Sequence, residues 1–421
     1  MADVAPAAAA GVDSGRVGRW LASHVEGLTL PVEFELVSGG RSNLTYRLTD
    51  AGGAVYALRR PPLGGVLSTA HDMSREWRFI SALAPTPVPV AQPLAYCPDT
   101  AVTGAEFYVM GFVDGLVLAD RAAGLQLPPS ARLRAADQVI DVLVALHSLD
   151  PVSVGPGSAG LGELVRRTGY VERQLRRWHA QVHASVSSVS ADLALLALLD
   201  EVHDRLARRV PAQRTGIVHG DYRPGNLAFG PDGTVRAVFD WELATTGDPM
   251  ADLGWLAASW QDPGEDVPPV TPGPSTAPGF PARALVMDRY ARLSGRDVSD
   301  LPYWVAFARW RSACIGAGVR ARYLAGHMAD DGYLAQADER AGAGVRLAEA
   351  ARDALCDTWL SERNTDGLGF LDEPHDVDVV VGTHTSEERF LSAGSRRTLV
   401  VGGSSAGEID AKETGGSAGY G

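Results

Sequence analysis

The stretch from Ile217 to Leu253 constrains this chain more than any other part of its sequence. Its residues are IVHGDYRPGNLAFGPDGTVRAVFDWELATTGDPMADL, in which a short apolar strand precedes a polar loop. Two further short strands are predicted at 227–229 and 235–239, because both segments are apolar and the turn residues Pro-Asp-Gly separate them. The stretch therefore predicts a β-hairpin that directly follows a polar loop.

Acidic and amide side chains flank this hairpin, and a simple turn does not require them. Asp221 and Asn226 are separated by four residues in the loop, and Asp240 follows the second strand of the hairpin. The hairpin can bring Asp240 back beside Asn226, where their oxygens would form a site that suits Mg²⁺ together with substrate phosphates. Asp221 is offset from that pair, so it is left to orient an attacking hydroxyl group and to accept its proton.

The order and spacing of these polar residues match a known pattern. His219, Asp221 and Asn226 have the spacing H-x-D-x-x-x-x-N, and Asp240-Trp241-Glu242 stands where kinases have Asp-Phe-Gly. On these residues the chain resembles the aminoglycoside phosphotransferase (kinase-like) family. More narrowly, it is similar to the kinase-like domains found beside or fused to certain acyl-CoA dehydrogenases. The alternative interpretation is an Asp-rich turn that only caps strands and helices.

The resemblance implies an α+β, protein-kinase-like fold with two lobes. Residues 13–112 would form the N-lobe, a small antiparallel sheet with a helix that binds the nucleotide. Residues 113–360 would form a larger, mainly helical C-lobe that carries the catalytic loop. Residues 1–12 are predicted to be a loose N-terminus, and residues 361–421, which are rich in Gly, Ser and Asp, a weakly ordered C-terminal extension.

The N-terminal part of the sequence holds the residues that the resemblance assigns to the nucleotide. A Gly-rich turn over 38–43 joins two predicted strands, and glycine lets backbone N–H groups approach phosphate oxygens closely. Arg59 stands where kinases have a phosphate-holding lysine, and Glu76 lies on the next helix as its partner. Residues 110–113 resemble the hinge that contacts adenine. The predicted nucleotide-binding residues are Gly39, Gly40, Ser42, Asn43, Arg59, Glu76, Met110 and Phe112.

Arginine carries nearly all of the positive charge of this chain. The one lysine is Lys412, so no lysine before it can hold phosphate. Arginine is always charged and can bind phosphate through two N–H groups, which makes Arg59 a workable replacement. Three alternative interpretations remain: Arg59 is a surface charge at a strand end, Gly39-Gly40 is an ordinary hairpin turn, and Glu76 is an ordinary exposed helix residue.

Four further residues are predicted to support the site without reacting: His219, Glu242, Asp248 and Asp252. The resemblance implies that Asp248 and Asp252 brace the catalytic loop, by accepting hydrogen bonds from the backbone or from His219. Glu242 replaces the kinase glycine and would add a contact at or beside the metal. His147, near the end of a predicted helix, is expected to be a core or capping residue.

Composition limits the classes of function. The net charge of −13 argues against nucleic acid or an anionic membrane as a partner and mildly favours cationic small molecules. The three cysteines form no CxxC pair and fit a reducing cytosol. No apolar run approaches the roughly 18 residues of a membrane span, and the N-terminus lacks the basic region of a signal peptide. We therefore expect a cytoplasmic protein that acts on a small molecule.

The resemblance implies ATP-dependent phosphorylation of a small-molecule hydroxyl group, with Asp221 as the base and Asn226 and Asp240 as Mg²⁺ ligands. The hydroxyl group could belong to a hydroxyacyl-CoA held by the arginines of 166–177. It could instead belong to an aminoglycoside- or macrolide-type antibiotic, for which the loop 261–280 could set specificity. A nucleotide-binding pseudokinase or interaction module is the alternative of another class, because the kinase lysine is missing.

Overall fold

A computed structural model describes residues 12–38, 43–62, 72–155, 161, 169–186, 193–326 and 332–366, with the backbone alone at 38 and over 357–366. Three predicted nucleotide-loop residues, Gly39, Gly40 and Ser42, lie outside these ranges, as do Arg166 and Arg167. The predicted N-terminal segment is outside them except for its last residue, and so is the predicted extension from 367 onward. The predicted lobe boundaries stay predictions.

Helices and strands alternate in the first third of the described chain, and helices dominate after it. The helices are α1 (Ser14–His24), α2 (Met73–Leu83), α3 (Thr100–Thr103), α4 (Arg121–Gln126), α5 (Pro129–Ser148), α6 (Tyr170–Val186), α7 (Leu193–Arg208), α8 (Met250–Ser259), α9 (Arg283–Ser294), α10 (Leu301–Leu324) and α11 (Ala337–Asp366). The strands are β1 (Val32–Ser38), β2 (Leu44–Asp50), β3 (Val55–Arg60), β4 (Pro93–Cys97), β5 (Phe107–Gly111), β6 (Leu116–Val117), β7 (Gly216–Val218), β8 (Leu227–Phe229), β9 (Val235–Val238) and β10 (Thr245–Gly247).

The N-lobe is built on an antiparallel sheet of five strands in the order β1-β2-β3-β5-β4. Successive side chains of a strand point to opposite faces, so β2 buries Leu44, Tyr46 and Leu48 on one face. These residues pack in one apolar cluster with Val17 and Leu21 of α1. The predicted antiparallel N-lobe sheet is confirmed.

The opposite face of this sheet packs against α2. Tyr108 and Met110 of β5 belong to the same core as Phe79 and Ile80 of α2. Helix α2 begins after Asp72, whose side chain accepts a hydrogen bond from the backbone N–H of an arginine in the first turn. Glu76 also lies on the buried side of α2, so its charged side chain is buried.

The larger lobe packs around α10. This helix buries Trp304, Phe307 and Trp310 and contacts α6, α7, α8 and α11. Gly254 lets α8 approach α10 closely, since a Cβ at this position would lie 2.6 Å from the Trp304 backbone. The predicted helical C-lobe is confirmed. Among the described residues, no helix is both long enough and apolar enough to cross a bilayer.

Two small sheets carry the stretch with which the sequence analysis began. Strand β7 pairs with β10, and β8 pairs with β9 on one side and with β6 on the other. Leu227 lies opposite Val238, so the predicted hairpin is present. Its second strand ends at Val238, one residue earlier than expected. The segment 261–280 has no helix or strand, yet it is tied to α8 by the hydrogen bond from Val270 N–H to Ala258 O (3.0 Å).

Candidate active site

One buried carboxylate holds the loop that follows β7. Asp252, on α8, accepts hydrogen bonds from the backbone N–H groups of His219 (2.6 Å) and Gly220 (2.8 Å). Gly220 has φ +88°, a backbone region that glycine enters without steric cost. A Cβ there would also lie 2.8 Å from the carbonyl oxygen of Leu243. The shape of the loop therefore depends on Asp252 and on glycine at position 220.

Asp252 is charged despite its burial. Burial favours the neutral acid, but the hydrogen bond and charge of His147, together with His219 and the Gly220 N–H, outweigh it and hold the pKa of Asp252 below its usual value. His147 Nε2 lies 3.5 Å from Asp252 Oδ2, and its Nδ1 lies 2.8 Å from the Tyr290 hydroxyl group. His147 is thus a buried residue that supports Asp252.

His219 joins the loop to the end of β9. Its Nε2 lies 2.8 Å from the carbonyl oxygen of Phe239, which can only accept, so Nε2 carries the proton. Its Nδ1 is then free to accept the backbone N–H of Asp221 at 3.2 Å. One imidazole ring thereby fixes the backbone of Asp221 relative to the segment that leads into Asp240.

The carboxylate of Asp221 is oriented from both sides. Oδ1 accepts a hydrogen bond from Trp255 Nε1 at 2.6 Å, and Oδ2 accepts one from Asn226 Nδ2 at 2.8 Å. Arg223 Nε lies 3.4 Å from Oδ2. Two carboxylate oxygens offer about four lone pairs, so Asp221 keeps acceptor capacity for a further group. Its side chain is 19% exposed, which gives such a group access.

Asn226 faces Asp221 with its nitrogen. Nδ2 also donates to the backbone oxygen of Asp221 (2.8 Å). The backbone carbonyl oxygen of Asn226 accepts a hydrogen bond from the backbone N–H of Phe239 (2.8 Å). Because the nitrogen is committed to Asp221, the amide oxygen is the atom that Asn226 has left for a cation. The hydrogen bond to Phe239 places Asn226 beside the residue before Asp240.

Arg59 is the centre of a cluster of carboxylates. Its Nε lies 3.0 Å from Glu76 Oε1, its guanidinium contacts Asp240 Oδ1, and Glu242 Oε2 lies 4.0 Å away. Arg59 is 12% exposed and Glu76 is 1% exposed, so the pair is buried. Burial lowers the pKa of Arg59, but the surrounding negative charges, that of Glu76 first, outweigh it and raise the pKa above its usual value.

The cluster holds more negative than positive charge. Glu76, Asp240 and Glu242 share one guanidinium, and burial, then the charge of Asp240, raises the pKa of Glu242 to about 7. Asn43 Nδ2 lies 3.4 Å from Glu76 Oε2 and 3.3 Å from Glu242 Oε2. Among the described residues, the buried Oδ1 of Asn43 has no hydrogen-bond partner. Surplus negative charge and a free amide oxygen fit a cation.

A cavity of about 540 Å³ opens beside this cluster. Of the predicted residues it is lined by Asn43, Arg59, Met110, Phe112, Asn226 and Asp240. The apolar side chains of Ala57, Ile80 and Val238 also line it. Such a cavity, lined by both apolar and charged side chains, suits a ligand with a ring and an anionic tail. A larger cavity of about 1080 Å³ between α7 and α10 contains none of the predicted residues.

Asp248 differs from its prediction. Its Oδ2 accepts the backbone N–H of Arg214 (2.7 Å) and its Oδ1 that of Met250 (2.9 Å). These groups lie just before β7 and at the start of α8, so Asp248 fixes the entry to the strand, and Asp252 braces the catalytic loop. Burial raises the pKa of Asp248 above its usual value, whereas the hydrogen bonds and charges around Asp252 outweigh its burial and hold its pKa below the usual value.

Trp255 and Arg311 contact the described part of the site and were not predicted. Trp255 follows Asp252 by three positions on α8, so both lie on one face of the helix, toward the loop. That spacing is visible in the sequence and could have identified Trp255. Arg311, on α10, lies over the Trp255 ring (3.9 Å from its centroid) and donates to the carbonyl oxygen of Gly220. It is far from the loop in sequence, and no pattern identifies it.

Replacing Glu242 by Gln tests the charge surplus through its pH dependence. The pKa of Glu242 is about 7 in the folded chain against 4.5 for an ordinary glutamate, so the folded chain binds more protons between these values. The free energy of unfolding of the wild type should therefore fall as the pH rises through that window. In urea unfolding, the free energy of unfolding of the variant should rise relative to that of the wild type by on the order of 2 kcal/mol between pH 4.5 and pH 8. The control Glu33→Gln, at an exposed position, should run parallel to the wild type; a parallel Glu242→Gln profile would contradict the charge surplus.

The sequence matches the phosphotransferase enzyme family over residues 33–284, more than half of the chain. The chain belongs to this family. The matched residues of this phosphotransferase run from β1 to the start of α9 and so include the sheet, the Arg59 cluster and the catalytic loop. Membership confirms the resemblance stated from the sequence.

Curated relatives and solved structures agree with this assignment. Acyl-CoA dehydrogenase family member 11 of Homo sapiens is 33% identical over 334 residues, which cover 76% of this phosphotransferase and 41% of that protein. The chain spans about two-fifths of the length of the curated relatives it matches. A putative aminoglycoside phosphotransferase from Ralstonia eutropha has a TM-score of 0.65 at 32% identity, covering 81% of this chain and 98% of that one. A thermostable aminoglycoside phosphotransferase variant, in a ternary complex with AMP-PNP and hygromycin B, shares the fold with a TM-score of 0.52 at 16% identity over 79% of this chain and 98% of that one.

Proposed function

We propose that this phosphotransferase transfers the terminal phosphoryl group of ATP to a hydroxyl group of a small molecule, with Mg²⁺ as the metal. One observation carries the proposal. Arg59, Asn226 and Asp240 line a single cavity, and Asn226 is hydrogen-bonded to the carboxylate of Asp221 at 2.8 Å. A phosphate-binding cation, two oxygen donors for a metal and a candidate base therefore lie side by side, as phosphoryl transfer requires.

Asp221 is the proposed base. The hydrogen bonds from Trp255 and Asn226 hold its carboxylate in one orientation, so that its remaining lone pairs can accept the hydrogen bond, and then the proton, of an acceptor hydroxyl group. Correct placement of the acceptor is the larger contribution in this chemistry, because little covalent work falls to the protein. Asp221 would fix the direction from which the hydroxyl oxygen approaches the phosphorus.

The nucleotide is proposed to occupy the 540 Å³ cavity. The adenine ring of the nucleotide would lie against Ala57 and Met110, next to the backbone that leads from β5 to Phe112. Arg59, held by Glu76, would contact the phosphates. The predicted loop residues Gly39, Gly40 and Ser42 belong to the same proposal, although they lie outside the described residues.

The residues present fit a magnesium ion. The Asp240 carboxylate and the Asn226 amide oxygen are hard oxygen donors, and the cluster around Arg59 has surplus negative charge. When bound, Mg²⁺ would neutralise charge on the phosphate oxygens during transfer. Glu242 is 23% exposed and would act next to these donors, by adding negative charge beside Asp240.

The proposed acceptor is a hydroxyacyl-CoA. The names of the curated relatives, which are acyl-CoA dehydrogenases nearly twice as long as this chain, support it. One partly exposed arginine beside Asp221 supports it as well, because an anionic acceptor suits it better than a polycationic aminoglycoside. Arg223 lies 3.4 Å from the Asp221 carboxylate, and its side chain is 22% exposed. The cytoplasm, where ATP and Mg²⁺ are available, is the proposed location.

The direct test incubates the protein and Mg·ATP with a panel of hydroxyacyl-CoAs and aminoglycosides, and follows ADP release and product mass. One added phosphate on a hydroxyacyl-CoA is the expected result, and Asp221→Asn should form this product far more slowly. Phosphate on an aminoglycoside would replace the proposed acceptor by an antibiotic. ADP release with neither would keep phosphoryl transfer and reject both acceptors, while bound ATP without turnover would identify a pseudokinase.

The contact between Trp255 and Asp221 gives a further prediction. Trp255→Phe keeps an aromatic ring, although a smaller one, and removes the 2.6 Å hydrogen bond to Asp221 Oδ1. A hydrogen bond to a charged group contributes about 1.5–3 kcal/mol, so kcat should fall about 10- to 100-fold, with little change in KM for ATP. The matched control is Trp260→Phe, which loses only the hydrogen bond to the Pro281 carbonyl and should keep its kcat. Equal kcat values for both variants would contradict the orienting role of Trp255.

A further inference from the structure

A second group of potential metal ligands lies on α6 and α7. His179 and His183 are four residues apart on α6, so they project from the same face of the helix. Asp200 lies on α7, which packs against α6. None of the three lines the 540 Å³ cavity. The group is therefore separate from the residues proposed for phosphoryl transfer.

The three side chains converge on one point. Nε2 of His179 lies 2.9 Å and Nε2 of His183 lies 2.7 Å from the same oxygen, Oδ1 of Asp200. All three potential ligand atoms lie within 4.8 Å of one another. In this arrangement one carboxylate oxygen accepts from two imidazoles, so a dication that replaces the two shared protons would have all three ligands already in place.

We propose that His179, His183 and Asp200 form a binding site for a transition-metal dication of the Zn²⁺ class. Two imidazole nitrogens and one carboxylate oxygen are a donor set that Zn²⁺ takes in proteins, with water as a further ligand. A histidine pair at positions i and i+4 of one helix is a frequent part of such sites. Mg²⁺ prefers oxygen donors, so the site selects against the metal proposed for the cavity.

The geometry and the exposure of the site agree with this assignment. Zn–N and Zn–O bonds of about 2.0–2.2 Å in a tetrahedron place neighbouring ligand atoms about 3.3 Å apart. The two nitrogen–oxygen separations of 2.9 and 2.7 Å are within about 0.6 Å of this value, and the three ligand atoms all lie within 4.8 Å of one another, so a small rearrangement of the side chains would bring them into ligand positions. The side chains of His179, His183 and Asp200 are 33%, 39% and 41% exposed, which gives an ion a path of entry and leaves room for a water ligand.

The surroundings limit how far the ligands can move. The ring of His203 packs on that of His179, with centroids 4.3 Å apart, and lies 5.9 Å from the ring of Trp310. Trp310 Nε1 donates to the carbonyl oxygen of Leu199 (2.9 Å), the residue before Asp200. An ion bound here would join α6 to α7 beside α10, so its main effect would be on the stability of the helical lobe.

The test uses full-length, tag-free, metal-free protein titrated with Zn²⁺ in calorimetry, in the presence of excess Mg²⁺ to occupy oxygen-donor sites. We expect about one Zn²⁺ per chain, and a Co²⁺-loaded sample should show the visible absorption of a nitrogen- and oxygen-ligated ion. His183→Ala and Asp200→Asn should each lose this binding. His24→Ala, which removes an exposed histidine of α1, is the matched control and should retain it.

Thermal unfolding gives a second readout that does not depend on activity. Zn²⁺ should raise the Tm of the wild type and of His24→Ala and leave that of His183→Ala unchanged. Asp200→Asn preserves the size of the side chain and serves as the fold-preserving variant, with circular dichroism of the metal-free protein as its check. Absence of Zn²⁺ binding by the wild type, or equal binding by Asp200→Asn and the wild type, would overturn the site and leave a purely hydrogen-bonded His–Asp–His contact.

Discussion

Asp221→Asn is expected to lower kcat about 10²- to 10⁴-fold while leaving the affinity for Mg·ATP nearly unchanged. Asparagine has the same shape and can still accept the hydrogen bond from Trp255 at its oxygen, but it cannot accept the proton of the acceptor hydroxyl group. Asp221 is also absent from the lining of the nucleotide cavity. The measurement is steady-state turnover on the acceptor identified by product mass, together with calorimetric binding of Mg·ATP.

Asp232→Asn is the matched control for this variant. Asp232 lies in the hairpin turn and its side chain is 53% exposed, so its replacement should alter neither turnover nor nucleotide binding. Turnover of Asp221→Asn within a few-fold of the wild type would assign the base to another group. A loss of Mg·ATP affinity equal to the loss of kcat would instead place Asp221 among the nucleotide or metal contacts.

Arg59→Ala is expected to destabilise the fold and to abolish nucleotide binding together. Glu76 is 1% exposed and would lose the cation that lies 3.0 Å from it, and removing one partner of a buried pair costs about 3–5 kcal/mol. Burial already raises the pKa of Glu76 and of Glu242, and without the guanidinium both should rise further, so the loss of stability should be smaller at pH 5 than at pH 8. Urea unfolding at both pH values measures this effect.

Arg59→Lys and a surface variant separate charge from geometry. Lysine restores one positive charge, but a single ammonium group cannot reproduce the two-sided contact with Glu76 and Asp240, so an intermediate stability is expected. Arg292→Ala, in an exposed pair on α9 with 65% and 60% exposed side chains, should change stability by less than about 1 kcal/mol. An Arg59→Ala protein as stable as Arg292→Ala would show that the cluster contributes no net stability.

Local patterns were sufficient to predict much of the fold. The hairpin of β8 and β9 followed from two apolar segments around Pro-Asp-Gly, and the two strands joined by the Gly-rich turn over 38–43 were also predicted from the sequence. The pairing order of the N-lobe sheet, in which β5 lies between β3 and β4, was not predicted, because single-strand patterns do not specify long-range partners. The short strands β6 and β10 have too few residues for any pattern.

The residues of the candidate site could likewise be predicted only in part from the sequence. The structure brings Asp221, Asn226 and Asp240 together as their spacing around the hairpin suggests. The buried partners were harder to predict. Asp248 and Asp252 lie four residues apart with the same chemistry. Asp248 nevertheless contacts Arg214, two residues before β7, whereas Asp252 contacts the catalytic loop, and that difference arises from the packing of α8. Arg311 reaches the loop across the lobe, and a single sequence contains nothing that pairs positions so far apart.

The backbone at Asp240 restricts which residues this position can accept. Among the described residues it is the one non-glycine position with a left-handed conformation, with φ +66° and ψ 57°. Asp and Asn tolerate this conformation far better than β-branched or bulky residues do, and glycine enters it freely. Asp, Asn and Gly are therefore well suited to this backbone, and of these three only Asp carries a charge. A residue at position 240 must meet two unrelated requirements: its backbone must adopt the left-handed conformation, and its side chain must supply the proposed metal ligand. Asp240→Ala would impair both at once. Asp240→Asn and Asp240→Gly both suit the backbone conformation, so they measure the loss of the charge alone and of the whole side chain, respectively.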